Sequence, residues 1–165
     1  MKQLFLSIIL LTIPIITFAQ QDTIKPKLYD PIVNAEKEIS DAIALAKKQN
    51  KHVFLQIGGN WCVWCIRFHN FVQADSELAN ALNNNYVVAH INYSKENKND
   101  ETMRKLEYPN RFGFPVFVIL DAKGRRIHTQ NSAYLEEEKS YSRMKILDFF
   151  KSWSPAALNP ANYDK

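Results

Sequence analysis

The chain contains 2 cysteines, Cys62 and Cys65, and the two residues between them set a distance at which thiols can close a disulfide within one helical turn. Such a pair can cycle between dithiol and disulfide without rearranging a fold. Both lie in the stretch Trp61-Cys62-Val63-Trp64-Cys65. Before it, His52-Val53-Phe54-Leu55-Gln56-Ile57 is a short apolar run suited to a buried strand, and Gly58-Gly59-Asn60 interrupts it with a permissive turn. Phe68 and Phe71-Val72 continue an apolar stripe at helical spacing, so the thiols are predicted to open a helix that packs on a sheet. A thiol in that position meets unpaired backbone amides and the positive end of the helix dipole, which favour thiolate over thiol. The chemistry implied is redox chemistry at sulfur.

Other uses of the pair are weaker. A structural zinc site takes four ligands, and with no further cysteine only His69 and the scattered His52, His90 and His128 could complete one, so no metal is expected. Covalent haem attachment needs histidine directly after the second cysteine, and Ile66 stands there. A purely structural disulfide remains the main alternative, although closing so short a loop removes little chain entropy. Gly58-Gly59 is not a phosphate loop, since no Lys-Ser/Thr follows.

The motif resembles the active site of the thioredoxin superfamily, and Gly113-Phe114-Pro115-Val116 is a second match to it. The segment Phe117-Val118-Ile119-Leu120-Asp121-Ala122-Lys123-Gly124-Arg125 is similar to that family's strand, turn and strand. The likeness extends from Tyr29 to Trp153. It is nearest to secreted thioredoxin-like proteins of Bacteroidetes-type bacteria, with some likeness to the C-terminal domain of DsbD-type periplasmic electron carriers. The resemblance implies an α/β thioredoxin fold, a central mixed sheet with helices on both faces. It implies that Cys62 is the exposed nucleophile, that Cys65 resolves the mixed disulfide, and that Pro115 is cis and faces the thiols. Trp61, Trp64, Phe114 and Pro115 become the substrate-binding surface. One departure stands out: thioredoxins bury an acidic residue six positions before the first cysteine to help deprotonate the second, and Gln56 occupies that proton-relay position here.

The elements that must position these residues follow in order. Residues 1–19 carry an early lysine, an apolar run from Leu4 to Phe18 and small residues at Thr17 and Ala19, the pattern of a cleaved secretory signal. Residues 20–28 read as a flexible lead-in and 29–153 as the domain. Asp30-Pro31 is a helix start, with Ile32, Ala35, Ile39, Ala42, Ile43 and Ala46 facing inward toward Gln49. Asp75 or Ser76 caps a segment running to Asn83, Tyr86–Tyr93 is a strand and Thr102–Leu106 a short helix. Asp121–Gly124 is a hairpin turn, Arg126–Gln130 the last strand, and Glu137–Trp153 a final amphipathic helix. Residues 154–165, with Pro155 and Pro160, form a tail that cannot continue that helix.

Composition bounds the function. In 165 residues, 46% hydrophobic and 23% charged, one domain with a sizeable core is expected, as a monomer. The net charge of +4 is spread along the chain, with no basic block interleaved with aromatics, which gives no case for nucleic acid. The expected function is thiol–disulfide exchange in the periplasm or outside the cell, reducing protein disulfides with no cofactor. Its partners would be protein or small-molecule disulfides and dithiols, with a membrane electron-donor protein as a candidate source of electrons. The competing class is a non-enzymatic binding module of the same fold, in which the disulfide only staples the helix.

Overall fold

A computed structural model describes residues 27–164 of the chain. The expected signal segment and most of the lead-in lie outside the described residues. The elements in order are α1 (Ala35–Gln49), β1 (His52–Gly58), α2 (Val63–Ala74), α3 (Ser76–Asn85), β2 (Tyr86–Asn92), α4 (Asp100–Lys105), β3 (Val116–Leu120), β4 (Arg126–Asn131), β5 (Glu136–Glu137), β6 (Ser140–Tyr141) and α5 (Arg143–Ser152). Four strands form one sheet in the order β2-β1-β3-β4. β1 runs parallel to β2 and antiparallel to β3, and β3 runs antiparallel to β4, so the sheet is mixed as expected.

The two faces of the sheet follow from alternation along β1. Val53, Leu55 and Ile57 point to one side, where they meet Ala35, Ala42 and Ala46 of α1 and Met103 of α4. Phe54 points to the other, where α2, α3 and α5 supply Phe68, Val72, Leu78, Leu82, Ile146, Phe149 and Phe150. The aromatic ring of Phe54 stacks on Phe68 at 6.2 Å and lies 5.2 Å from Phe117. Because both faces are covered, all seven residues of β1 are buried, and the strand reads in sequence as a continuous apolar run broken by Gln56. No helix among the described residues is long and apolar enough to cross a membrane.

Two helix boundaries differ from expectation. Asp30 does not cap α1; its carboxylate accepts from the Ile32 amide in a local turn, and Ile32 is 88% exposed. The helix starts at Ala35 with Asn34 as its cap, accepting from the Lys37 amide. The reason lies just ahead of the helix: residues 28–31 are held by bonds to other elements and cannot coil. The Tyr29 amide donates to Asn60 Oδ1 at 3.1 Å, Asn60 Nδ2 donates to the Tyr29 carbonyl at 2.7 Å, and Asn97 Nδ2 donates to the Pro31 carbonyl at 3.0 Å. The last helix likewise starts later, at Arg143 and not Glu137, because β5 and β6 form a small hairpin with Glu138 at φ 52°. That hairpin carries Tyr141 into the core, where it meets Phe68 edge-on at 5.2 Å. Asp75 does cap α3, accepting from Glu77 and Leu78.

Candidate active site

β1 delivers the chain to the thiols and a tight turn starts the helix. The Cys62 amide donates to the Gly59 carbonyl at 3.0 Å, and Cys62 is the N-cap of α2, its sulfur accepting from the Cys65 amide at 3.1 Å. Cys62 and Cys65 are joined in a disulfide with their Cα atoms 5.2 Å apart. The glycines before them are required by close approach. A Cβ on Gly58 would run into Cys65 Sγ, and a Cβ on Gly59 into the Trp61 indole.

Cys62 is less open than expected. Cys62 is 5% exposed and Cys65 fully buried, in a cluster with Tyr29 against which Leu28, Trp64, Ile66 and Phe114 pack. Leu28 and Phe114, from two separate segments, are among the side chains that pack against this cluster. Trp61 is 58% exposed; its indole N–H donates to the Tyr93 carbonyl at 2.7 Å and its ring meets Phe114 edge-on at 5.5 Å. Phe114 also packs on Tyr93 at 4.8 Å. Beside Trp61 lies a cleft of about 390 Å³ lined by Tyr93, Ser94, Lys95, Glu96 and Lys98. Trp64 is half-buried, edge-on to Tyr141 at 5.5 Å, with the Arg67 guanidinium 4.4 Å above its ring. Pro115 is buried and its bond to Phe114 is cis. It lies one residue beyond the Ile57↔Val116 pair, and so beside the end of β1 that leads to the thiols.

Gln56 lies beneath Cys65. It is 2% exposed, and Nε2 donates to the Cys65 carbonyl at 3.0 Å and to the Tyr29 hydroxyl at 2.7 Å. Tyr29 is fully buried, and its hydroxyl stands 3.1 Å from the point where a Gly58 Cβ would be. Burial pushes the Tyr29 phenol well above its ordinary range, against a smaller opposing effect of the Gln56 bond. His90, paired with Gln56 across β1 and β2, meets the Tyr29 ring edge-on at 5.7 Å and the His69 ring at 5.6 Å. Burial, with a smaller push from His69, brings the His90 pKa down to about 4, and burial lowers that of His69. His69, on the same helix as the thiols, thus packs against His90. Tyr29 and Asn60 were not singled out by their residue types; the one signal was the apolar pair Leu28-Tyr29 at the end of the polar lead-in.

Known proteins resemble this chain in sequence or in fold. The Yersinia pestis (strain Pestoides F) "Thiol:disulfide interchange protein DsbD" is 26% identical over 108 residues, 66% of this chain but 17% of that protein. A disulphide isomerase from Xylella fastidiosa Temecula1 superposes with a TM-score of 0.67 at 23% identity, over 76% of this chain and 95% of that one. The oxidised C-terminal domain of Neisseria meningitidis DsbD superposes with a TM-score of 0.52 at 15% identity, over 71% of this chain and 94% of that one. At these identities the superpositions speak for the fold alone. A family model described as thioredoxin-like matches residues 34–122, more than half of the chain, taking in β1, both cysteines and the cis-proline; the chain belongs to the thioredoxin-like family.

Proposed function

We propose that this protein catalyses thiol–disulfide exchange through Cys62 and Cys65, acting as a reductant of protein disulfides outside the cytoplasm. The observation that carries the reading is the disulfide at the start of α2, with Cys62 as N-cap and the less buried of the two cysteines. The Cys62 thiolate attacks a substrate disulfide and displaces one substrate thiolate. Cys65 then attacks Cys62 Sγ, closing the Cys62–Cys65 bond and releasing the second substrate thiolate. Trp61 and Phe114 present the apolar rim on which a substrate strand would rest, with Trp64 and Pro115 behind it. Residues 29–153 form the working domain. The location outside the cytoplasm rests on the apolar leader pattern of residues 1–19, and it gives a two-cysteine protein disulfides to act on.

The reducing direction rests on the described residues beside the thiols. Val63 and Trp64 bring no charge between the cysteines, Arg67 is engaged over Trp64, and burial favours the neutral form of His69. Weak stabilisation of the thiolate keeps the disulfide form favoured and the potential low. A measured potential near that of strong oxidants, about −120 mV, would overturn the direction.

A second reading has one observation in its favour: both cysteines are nearly covered, as in a binding module whose disulfide is only a staple. Turnover of a protein disulfide with a dithiol reductant separates the two. Wild type should accelerate it and Cys62→Ser should not; equal rates for both would end the catalytic reading.

A further inference from the structure

The hydrogen bonds beneath Cys65 have a definite polarity. Gln56 Nε2 reaches the Cys65 carbonyl and the Tyr29 hydroxyl, and since a carbonyl can only accept, the amide nitrogen is fixed on that side. Nε2 is a donor only, so the Tyr29 oxygen must accept from it. The phenolic proton then points away from Gln56. Tyr29 is fully buried, and a buried hydroxyl proton is ordinarily paired. Cys65 Sγ and the Tyr29 oxygen both close on the Cα of Gly58, 2.4 and 3.1 Å from where its Cβ would stand, and Tyr29 packs in one cluster with both cysteines. The titratable groups around it are Cys62, Cys65 and His90, with Tyr141 at longer range.

We propose that the Tyr29 hydroxyl donates a hydrogen bond to Cys65 Sγ and stabilises its thiolate in the resolving step, with Gln56 as the positioning residue that aims it. This rests on the thiol–disulfide reading above. The disulfide sulfur is a weak acceptor and takes no such bond here, whereas a thiolate is a strong, charged one, so the bond forms as Cys65 deprotonates. In that step the Cys65 thiol gives its proton to hydroxide or buffer. The Cys65–Cys62 bond forms while the bond from Cys62 to the substrate sulfur breaks. The substrate disulfide is reduced by two electrons, the cysteine pair is oxidised, and the departing thiolate takes a proton from water. Tyr29 keeps its own proton throughout. Burial that raises its pKa makes it a donor and not a base over the working range. The scheme differs from a carboxylate relay: an acid beneath the thiol removes a proton, whereas Gln56 and Tyr29 together favour the anion left behind.

Cys62→Ser leaves Cys65 as the single thiol, whose titration can be followed by thiolate absorbance. Adding Tyr29→Phe should move that titration to higher pH, and a thiol pKa higher by about 1 leaves roughly one tenth of the thiolate at pH 7. In the protein with both cysteines, Tyr29→Phe should slow resolution of a model mixed disulfide about threefold at pH 7, since the smaller thiolate fraction is partly offset by a more nucleophilic thiolate. The deficit should vanish and reverse once pH exceeds the thiol pKa. A merely structural loss would slow resolution equally at every pH and leave the titration unmoved, and that result overturns the proposal. Should Tyr29→Phe fail to fold, ring-labelled tyrosine NMR on Cys62→Ser alone decides. The Tyr29 Cζ resonance should move with the Cys65 titration, and a resonance that ignores it overturns the proposal as well. The titrations are blind to turnover, so an inactive wild type counts against disulfide exchange, while an unmoved titration counts against Tyr29.

Discussion

Gln56→Glu tests whether the side chain beneath Cys65 is a buried donor. Wild-type Gln56 is 2% exposed and gives two N–H bonds, to the Cys65 carbonyl and to the Tyr29 hydroxyl. A glutamate has no such N–H, and when ionised it sets its lone pairs against the carbonyl. Burial and that carbonyl both favour the protonated acid, which can still donate one bond. From an unfolded value of about 4.3, burial of this depth would bring the carboxyl to titrate near ~7 in the native state. Its native pKa is raised, so between those values the folded chain holds more protons than the unfolded one. Stability of the variant therefore falls as pH rises, by about 1.4 kcal/mol per pH unit and about 4 kcal/mol in all. Below pH ~4 only the lost hydrogen bond remains, about 1 kcal/mol. Urea unfolding of oxidised wild type and variant from acid to neutral pH measures the difference directly. A difference that does not depend on pH would mean that the carboxylate is solvated, and the placement of Gln56 as a buried donor would be refuted. The kinetic corollary runs the other way from the stability. A carboxyl ionising near neutrality is a base close to Cys65, so Gln56→Glu should speed resolution at pH 7 while weakening the fold.

Three further outcomes are expected. His90 has a native pKa depressed from 6.5 to about 4, so the stability it contributes is fully present above its unfolded value and is lost as pH falls through that interval, by up to about 3 kcal/mol; in urea melts between pH 7 and 5, His90→Asn should flatten the decline seen in wild type. Trp61→Ala removes the indole bond to Tyr93 and the edge contact with Phe114 from a half-exposed site, and should raise KM for protein disulfides several-fold, with little change in the urea midpoint. Asn60→Ala removes both bonds to the Tyr29 backbone, about 1–3 kcal/mol of local stability, and hydrogen exchange should show the Tyr29 amide losing its protection while β1 keeps its own.

What could be read in the chain was what repeats or what breaks a pattern. β1 and β3 announce themselves as apolar runs because both faces of the sheet are covered, and Asp75 announces a helix because a carboxylate at that point satisfies two amides. The cysteine pair points to a candidate site by type and spacing, while Pro115 enters through the family resemblance. Asp30-Pro31 misled for a physical reason: its local preference for starting a helix is outweighed by long-range bonds from Asn60 and Asn97. Glu137–Trp153 misled because burial of Tyr141 selects a hairpin over another turn of helix. Tyr29 was legible only as an apolar residue in a polar segment, since nothing in its neighbours points to a partner 31 residues on at Asn60. Long-range pairs of that kind leave no periodicity to find.

The clasp between Tyr29 and Asn60 also bears on how portable this chemistry is. The family match begins at residue 34, yet a side chain that packs against the buried cysteines comes from residue 29, ahead of it. The matched segment and the packed unit around the cysteines therefore have different edges. A related scaffold given Trp61-Cys62-Val63-Trp64-Cys65 alone would gain the disulfide without that packing. A chain trimmed at residue 34 would keep every strand of the sheet while opening Cys65 to water. Positions 29, 56 and 60 should thus travel together as a set wherever this variant of the fold is transplanted or redesigned.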